Sequence, residues 1–476
     1  MALARKSLAD YSGSPKGNRV ILTDTEFYTN PSTPVTLTNL NDSFTTSFTL
    51  PNGSNRLHNI GFNLKGSLEM GAGLDALVVR RGNAVTLPAV SGLIIDGLDG
   101  RGTLDRPVTL SMGSGNDSVD VVLSPAGHQD STAISLKGYS KIELGDGNNS
   151  IKAISNEESS PTSPTSYSDA FINASTLGPT VPSIVGGINS DSILADGQQY
   201  GLDNRDNKIA LYGGGDKISA YCKRNGVAAI NIDTLGTIDV SGGTVIPDRN
   251  GGLSNKSDGD VISAISTGHP LTGLPPETYT PNTPAIKNNG KIIMGAGRDV
   301  LDAISGGFAG SGTYNLGYYQ TVELDKDGNP VYKAAEGGDV GARPFDNEVD
   351  VVTGFGAGTF YGGGGQNSIS LPEFHDNNGI PKYSRYIVVV NNVRDGVAGE
   401  KLYSGTIKLE TGVNGETDPA VMTFTDFNAI GGVNAQFPLT TADGRVMEHI
   451  DFTTEKAFGV AVPNYSQTPV TLPVVV

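Results

Sequence analysis

Tryptophan is absent from the 476-residue chain, cysteine occurs once and methionine six times. A lone cysteine, Cys222, excludes an internal disulfide. The five histidines, His58, His128, His269, His375 and His449, stand singly, and no pair has the spacing of a zinc site. Neither a Ser-His-Asp nor a Cys-His centre finds support in such a set. Lys223 and Arg224 follow Cys222 and could lower its thiol pKa; the simpler reading is a strand residue beside a turn. No run reaches 18 apolar residues, so no membrane-spanning helix is predicted. Met1 to Ser7 lacks the apolar segment of a secretory signal. That leaves retention, export by a route without a cleaved N-terminal signal, or assembly into a particle. Charged residues are also scarce, at 17% against roughly 25% in ordinary soluble domains.

What is abundant is glycine, 64 residues, with 26 prolines and many Ser, Thr and Asn. This composition suits short strands joined by tight turns and gives helices little to work with. Charge is unbalanced, 50 Asp and Glu against 33 Lys and Arg, for a net charge of −17. A phosphate backbone would be repelled, which argues against nucleic-acid binding. Divalent cations are the natural partners of such a surface, although the charge would also serve solubility alone.

One phrase recurs along the chain: a strand, then Gly-x-Gly-x-Asp or Asn, then a strand. The clean copies end at Asp75 (Met70-Gly-Ala-Gly-Leu-Asp75), Asp117 (Met112-Gly-Ser-Gly-Asn-Asp117), Asn149 (Leu144-Gly-Asp-Gly-Asn-Asn149) and Asp299 (Met294-Gly-Ala-Gly-Arg-Asp299). Looser copies end at Asp191 and Asn367, and shortened ones at Asp216 and Asp260. Strand-like runs lead in, among them Val108-Thr-Leu-Ser-Met112 and Lys141-Ile-Glu-Leu144. The apolar residue two places after each Asp or Asn is expected to point inward and open the next strand. Irregular spacing between copies fits a solenoid whose turns stack in a column while insertions bulge outward.

The fold expected is therefore all-β, a β-solenoid of parallel β-helix or β-roll type with irregular inserted loops. Residues 1–60 read as an N-terminal β-cap or added layer and 61–382 as the solenoid. Residues 383–476, where Gly-x-Gly turns stop and runs such as Tyr386-Ile-Val-Val-Val390 begin, read as a C-terminal antiparallel β-domain or cap. Two Pro/Ser/Thr-rich stretches, 155–182 and 266–286, read as surface loops.

The phrase resembles the nonapeptide G-G-x-G-x-D-x-U-x of RTX, or hemolysin-type, calcium-binding proteins. The resemblance covers roughly residues 60–370 in pattern. It implies glycines at positive φ, turn carbonyls facing a Ca2+ ion, and carboxylate ligands at Asp75, Asp117, Asp299 and Asp191. Asn149 and Asn367 would offer an amide oxygen at the same place. The chain departs from the family in having no tandem nonapeptides. The other reading of the same residues is a stacked Asp/Asn ladder that hydrogen-bonds backbone without metal. Family members also tend to be exported through an uncleaved C-terminal signal, and Thr471 to Val476 would be compatible with one or with a terminal strand.

Other constellations are thinner. Asp325-Lys-Asp327-Gly328-Asn329 resembles the start of an EF-hand loop but lacks the Glu at the twelfth position, so a hairpin turn is expected. Asp96 to Asp99 likewise reads as a turn first. The Gly-rich stretch 307–313 has no Lys to complete a P-loop. Tyr361, His375 and Asp376 are near one another in sequence, the one faint trace of a polysaccharide-cleaving site.

The function expected is a non-enzymatic, calcium-associated structural protein of a bacterial surface or extracellular matrix, surface-layer or adhesin-like, self-assembling and able to meet a surface glycan. A phage fibre, spike or decoration protein is the alternative, placing the chain in a virion. A β-helical polysaccharide-degrading enzyme is the third reading.

Overall fold

The computed structural model describes residues 4–457 apart from short gaps; the longest lie at 49–58, 82–89, 124–130, 156–168, 267–283, 335–342, 410–419 and 439–448. The chain is a β-solenoid in two compact units, residues 1–242 and 243–476. The one helical segment among the described residues is the 3-10 turn Leu8–Tyr11, and no helix there is long and apolar enough to cross a membrane.

In the first unit each rung contributes one short strand to each of three parallel sheets. We call them the back, entry and ladder faces, in the order the chain meets them. One full rung is Asn59–Leu64 on the back face, Leu68–Glu69 on the entry face, the Gly71–Asp75 turn, and Ala76–Arg81 on the ladder face. The next rung repeats this with Val90–Asp96, Val108–Ser111 and Ser118–Val122. Period-2 alternation sends every second side chain inward. On the ladder face the register aligns Phe44, Leu77, Val119, Ile151, Ile193 and Ile218, all at most 1% exposed. These are the apolar residues two places after each Asp or Asn, and they point inward as expected. Aromatic residues concentrate at the start: Phe27 packs on Phe44 and Phe62 with ring centroids 5.7 and 5.2 Å apart.

Winding begins well before residue 60. Arg19–Thr23 pairs in parallel with Ser43–Phe48, which pairs with Ala76–Arg81, so the Thr/Asn/Ser-rich region set apart by sequence supplies rungs of its own. The stretch 155–182 also differs from its reading as a loop. Asp169–Ser175 within it is a back-face strand, because Ala170, Phe171 and Asn173 are buried there while 156–168 lie outside the described residues. The longer connections, 49–58, 82–89, 124–130 and 156–168, all join a ladder strand to the following back strand, so length varies at one corner while the turn corner stays constant.

The second unit keeps the scheme with more interruptions. Its ladder face runs Val261–Ser266, Val300–Asp302, Val351–Thr353, Ser368–Leu371 and Ala429–Gly432. Its core centres on Tyr314, stacked on Phe360 at 4.2 Å, with Phe308 edge-on to both. Tyr318–Leu324 and Pro330–Ala334 form the antiparallel hairpin expected around Asp325 to Asn329, the loop itself lying outside the described residues. Beyond residue 383 antiparallel pairing is added, Arg385–Asp395 with Lys401–Leu409 and that strand with Val421–Phe427, while Val421–Phe427 and Ala429–Gly432 stay parallel to Gly358–Tyr361 and Ser368–Leu371.

Candidate functional site: the Asp/Asn column

The turn between entry and ladder faces is built by glycine. Gly71 and Gly73, Gly113 and Gly115, and Gly145 and Gly147 all have positive φ. They also stack directly: a Cβ on Gly113 would collide with the Gly71 carbonyl oxygen, and one on Gly115 with that of Gly73. Only glycine meets both demands at once. The turns are then hydrogen-bonded to one another. Ser114 N donates to Gly71 O at 3.1 Å, Gly73 N to Ser114 O at 2.8 Å, and Asp146 N to Gly113 O at 3.0 Å.

Where the chain leaves this turn for the ladder face, one Asp or Asn per rung points into the core. In the first unit these are Asn18, Asp42, Asp75, Asp117, Asn149, Asp191 and Asp216, each at most 9% exposed. Their side chains form a continuous hydrogen-bonded column. The backbone N–H of each residue donates to the Oδ1 atom of the next: Asn18 to Asp42 (2.7 Å), Asp42 to Asp75 (2.7 Å), Asp75 to Asp117 (2.8 Å), Asp117 to Asn149 (2.9 Å), Asn149 to Asp191 (3.0 Å) and Asp191 to Asp216 (2.8 Å). The carbonyl of each accepts from the residue after its neighbour, as Asp75 O does from Ser118 N at 2.9 Å. A side chain thus takes over from the main chain at a bend where the N–H would otherwise be buried without an acceptor. The second unit has its own column, with Asp260 donating to Asp299 (3.0 Å), Asp299 to Asp350 (3.1 Å), Asp350 to Asn367 (3.1 Å) and Asn367 to Asn428 (2.6 Å).

The second side-chain atom differs from rung to rung. Asn149 Nδ2 donates to Gly147 O at 3.0 Å and Gly145 O at 3.4 Å, and Asn367 Nδ2 to Gly362 O and Gly364 O at 2.8 and 2.9 Å. Asp42 Oδ2 accepts from Thr38 N and Thr38 Oγ1, and Asp191 Oδ2 from Gly187 N. Asp75, Asp117 and Asp350 keep a buried Oδ2 with no hydrogen-bond partner. Burial pushes the Asp75 carboxyl up to about 7, against the lowering effect of the Asp42 N–H and with Asp117 and Asp42 adding to the rise. Burial likewise raises Asp117 and Asp191, each partly offset by backbone donors. Burial, with the Asp299 charge beside it, raises Asp350.

The four residues singled out as calcium ligands therefore sit in the columns, Asp75, Asp117 and Asp191 in the first unit and Asp299 in the second. The arrangement does not fit calcium in the way the resemblance implies. Each Oδ1 already accepts a backbone N–H, and Asp191 Oδ2 accepts another. A Gly-x-Gly turn like that of Asn149 offers Oδ2 two glycine carbonyls, far short of the six or more oxygens calcium takes. Among the described residues, no three His, Cys, Asp or Glu side chains are grouped to hold a metal ion.

Sequence reading missed four members of the columns: Asn18, Asp42, Asp350 and Asn428. None has the full glycine pattern, but each is an Asp or Asn with an apolar residue two places on: Val20, Phe44, Val352 and Ile430. That shorter signal would have found them. A second inner ladder was also missed. Asn173 Nδ2 donates to Asn204 Oδ1 at 2.7 Å and to Ser183 Oγ at 2.8 Å, and Asn204 Nδ2 to Asn207 O at 2.8 Å.

The remaining candidates fall into structural places. Cys222 ends the strand Lys217–Cys222, fully buried. Asp96 closes a turn by accepting from Leu98 N and Asp99 N, and Asp99 pairs with Lys65 of the preceding rung at 2.7 Å. Tyr361 ends an entry-face strand and His375 lies in the short hairpin Phe374–His375/Pro381–Lys382, while Asp376 is outside the described residues. Compared with protein-family models, curated proteins and solved structures, the chain matches none.

Proposed function

We propose that the protein is a non-enzymatic structural scaffold of a bacterial surface or extracellular matrix, of surface-layer or adhesin type, that assembles with copies of itself. The observation that carries this reading is the column. In these stacked turns the polar side chains that recur with the repeat are buried and engaged in holding rung to rung, out of reach of a solute. Such a molecule resists local opening, because the column N–H of each rung is satisfied by a side chain of its neighbour. A fibre, spike or decoration protein of a phage particle is the second reading, favoured by a column whose rungs are joined by direct N–H to Oδ1 hydrogen bonds.

Sedimentation and negative-stain electron microscopy of the purified protein, alongside a reducing-end assay on acidic polysaccharides, test the proposal. Ordered oligomers, filaments or sheets with no released reducing ends are expected. A monomer that cleaves glycan would overturn it. Immunogold labelling of producing cells separates the two structural readings, by decorating either the envelope or released particles.

A further inference from the structure

The turns ending at Asp75, Asp117 and Asn149 share both glycines at positive φ and the same spacing to the column residue. In all three, Oδ1 accepts the N–H of the preceding column residue. The other terminal atom must then occupy equivalent positions. At Asn149 that atom is an NH2 group donating to the glycine carbonyls two and four residues back. At Asp75 and Asp117 it is an oxygen, 1–2% exposed by residue and without a hydrogen-bond partner. A carbonyl oxygen and a carboxylate oxygen cannot bond without a proton or cation between them, and an ionised carboxylate buried without a donor is costly.

We infer that Asp75 and Asp117 are held in the folded protein as neutral carboxylic acids, each Oδ2–H standing in for the amide N–H of Asn149, so that the solenoid carries a proton where a calcium-binding repeat would carry its metal. The proton is taken from solvent on folding. The charged groups acting on Asp75 are Asp42 and Asp117, its neighbours on either side, and both oppose its ionisation. Asp117 lies between Asp75 and the uncharged Asn149. In the second unit buried Asp350, between Asp299 and Asn367 in the column, likewise has an Oδ2 with no hydrogen-bond partner. Because the folded state holds the neutral form, the stability Asp75 contributes is complete below the ordinary carboxyl range near 4 and is lost as pH rises through about 7, and burial shifts Asp117 and Asp350 in the same direction.

Thermal unfolding at pH 5 and pH 8 of the wild type, D75N, D117N and the double variant tests this. The wild type should melt lower at pH 8, and each Asn should raise the pH 8 midpoint by about 2–4 °C, with the double variant losing much of the pH dependence. Variants less stable than wild type at pH 8, or with undiminished pH dependence, would overturn the inference. So would calcium raising the midpoint of the wild type and not of the double variant, since the occupant would then be an ion. If the double variant does not fold, infrared difference spectra of the wild type and D117N decide. A protonated-carboxyl stretch at pH 6 that weakens in D117N supports the inference, and an identical spectrum contradicts it.

Discussion

Two rungs of the first unit, ending at Asp117 and Asn149, differ by one atom in the column. Both turns have glycines at positive φ, both side chains are 2% exposed, and both take the preceding N–H on Oδ1 at 2.9 Å or close to it. In one the remaining atom is an amide that donates to its own turn; in the other it is a buried oxygen with nothing donating to it. A sequence reader sees Asp as the functional residue and Asn as its decayed form. The hydrogen bonds invert this: Asn completes the bonding of its turn, and Asp matches it as the neutral acid we infer.

The largest effect should come from the glycines the two rungs share. Gly113→Val puts a side chain into the Gly71 carbonyl at a positive φ, and loss of a cooperative transition or more than about 4 kcal/mol is expected by chemical denaturation. Next comes the inward column beside the turn: Leu77→Ala should cost about 2–5 kcal/mol through the cavity it leaves. Asn149→Ala removes the acceptor of Asp117 N–H and two donors to the turn, and should cost about 2–3 kcal/mol. Asn149→Asp should cost less, and less at pH 5 than at pH 8, which sharpens the comparison directly. Smallest is Leu74→Ser. Leu74 occupies the variable turn position and is 57% exposed, so the unfolding free energy from chemical denaturation should change by no more than about 0.5 kcal/mol.

Much of this architecture is legible in the residues. Gly-x-Gly followed by Asp or Asn and then an apolar residue predicts a turn, a bend and an inward side chain, and Leu77, Val119, Ile151 and Leu301 sit as that pattern requires. The C-terminal shift to antiparallel pairing is visible where the glycine turns end. Less legible were the rungs at Asp42 and Asp350. At Asp42 the second carboxyl oxygen is satisfied by Thr38, so the glycine pattern is not needed and the motif shrinks to Asp-x-apolar. The strand Asp169–Ser175 hid behind the Pro/Ser/Thr-rich stretch that precedes it, because composition averaged over a loop and a strand resembles neither. The glycines that suggest calcium also answer another demand in this chain, the close stacking of one turn carbonyl on the next.

The central claim is that the column is closed by hydrogen bonds and protons rather than by metal. The most direct measurement is thermal unfolding of the wild type at pH 5 and pH 8, each with calcium and with excess EDTA. The account predicts a higher midpoint at pH 5 and the same midpoint with calcium or chelator at either pH. A midpoint that collapses with EDTA and is restored by calcium would contradict it, through the stabilisation that a ligand of the native state confers.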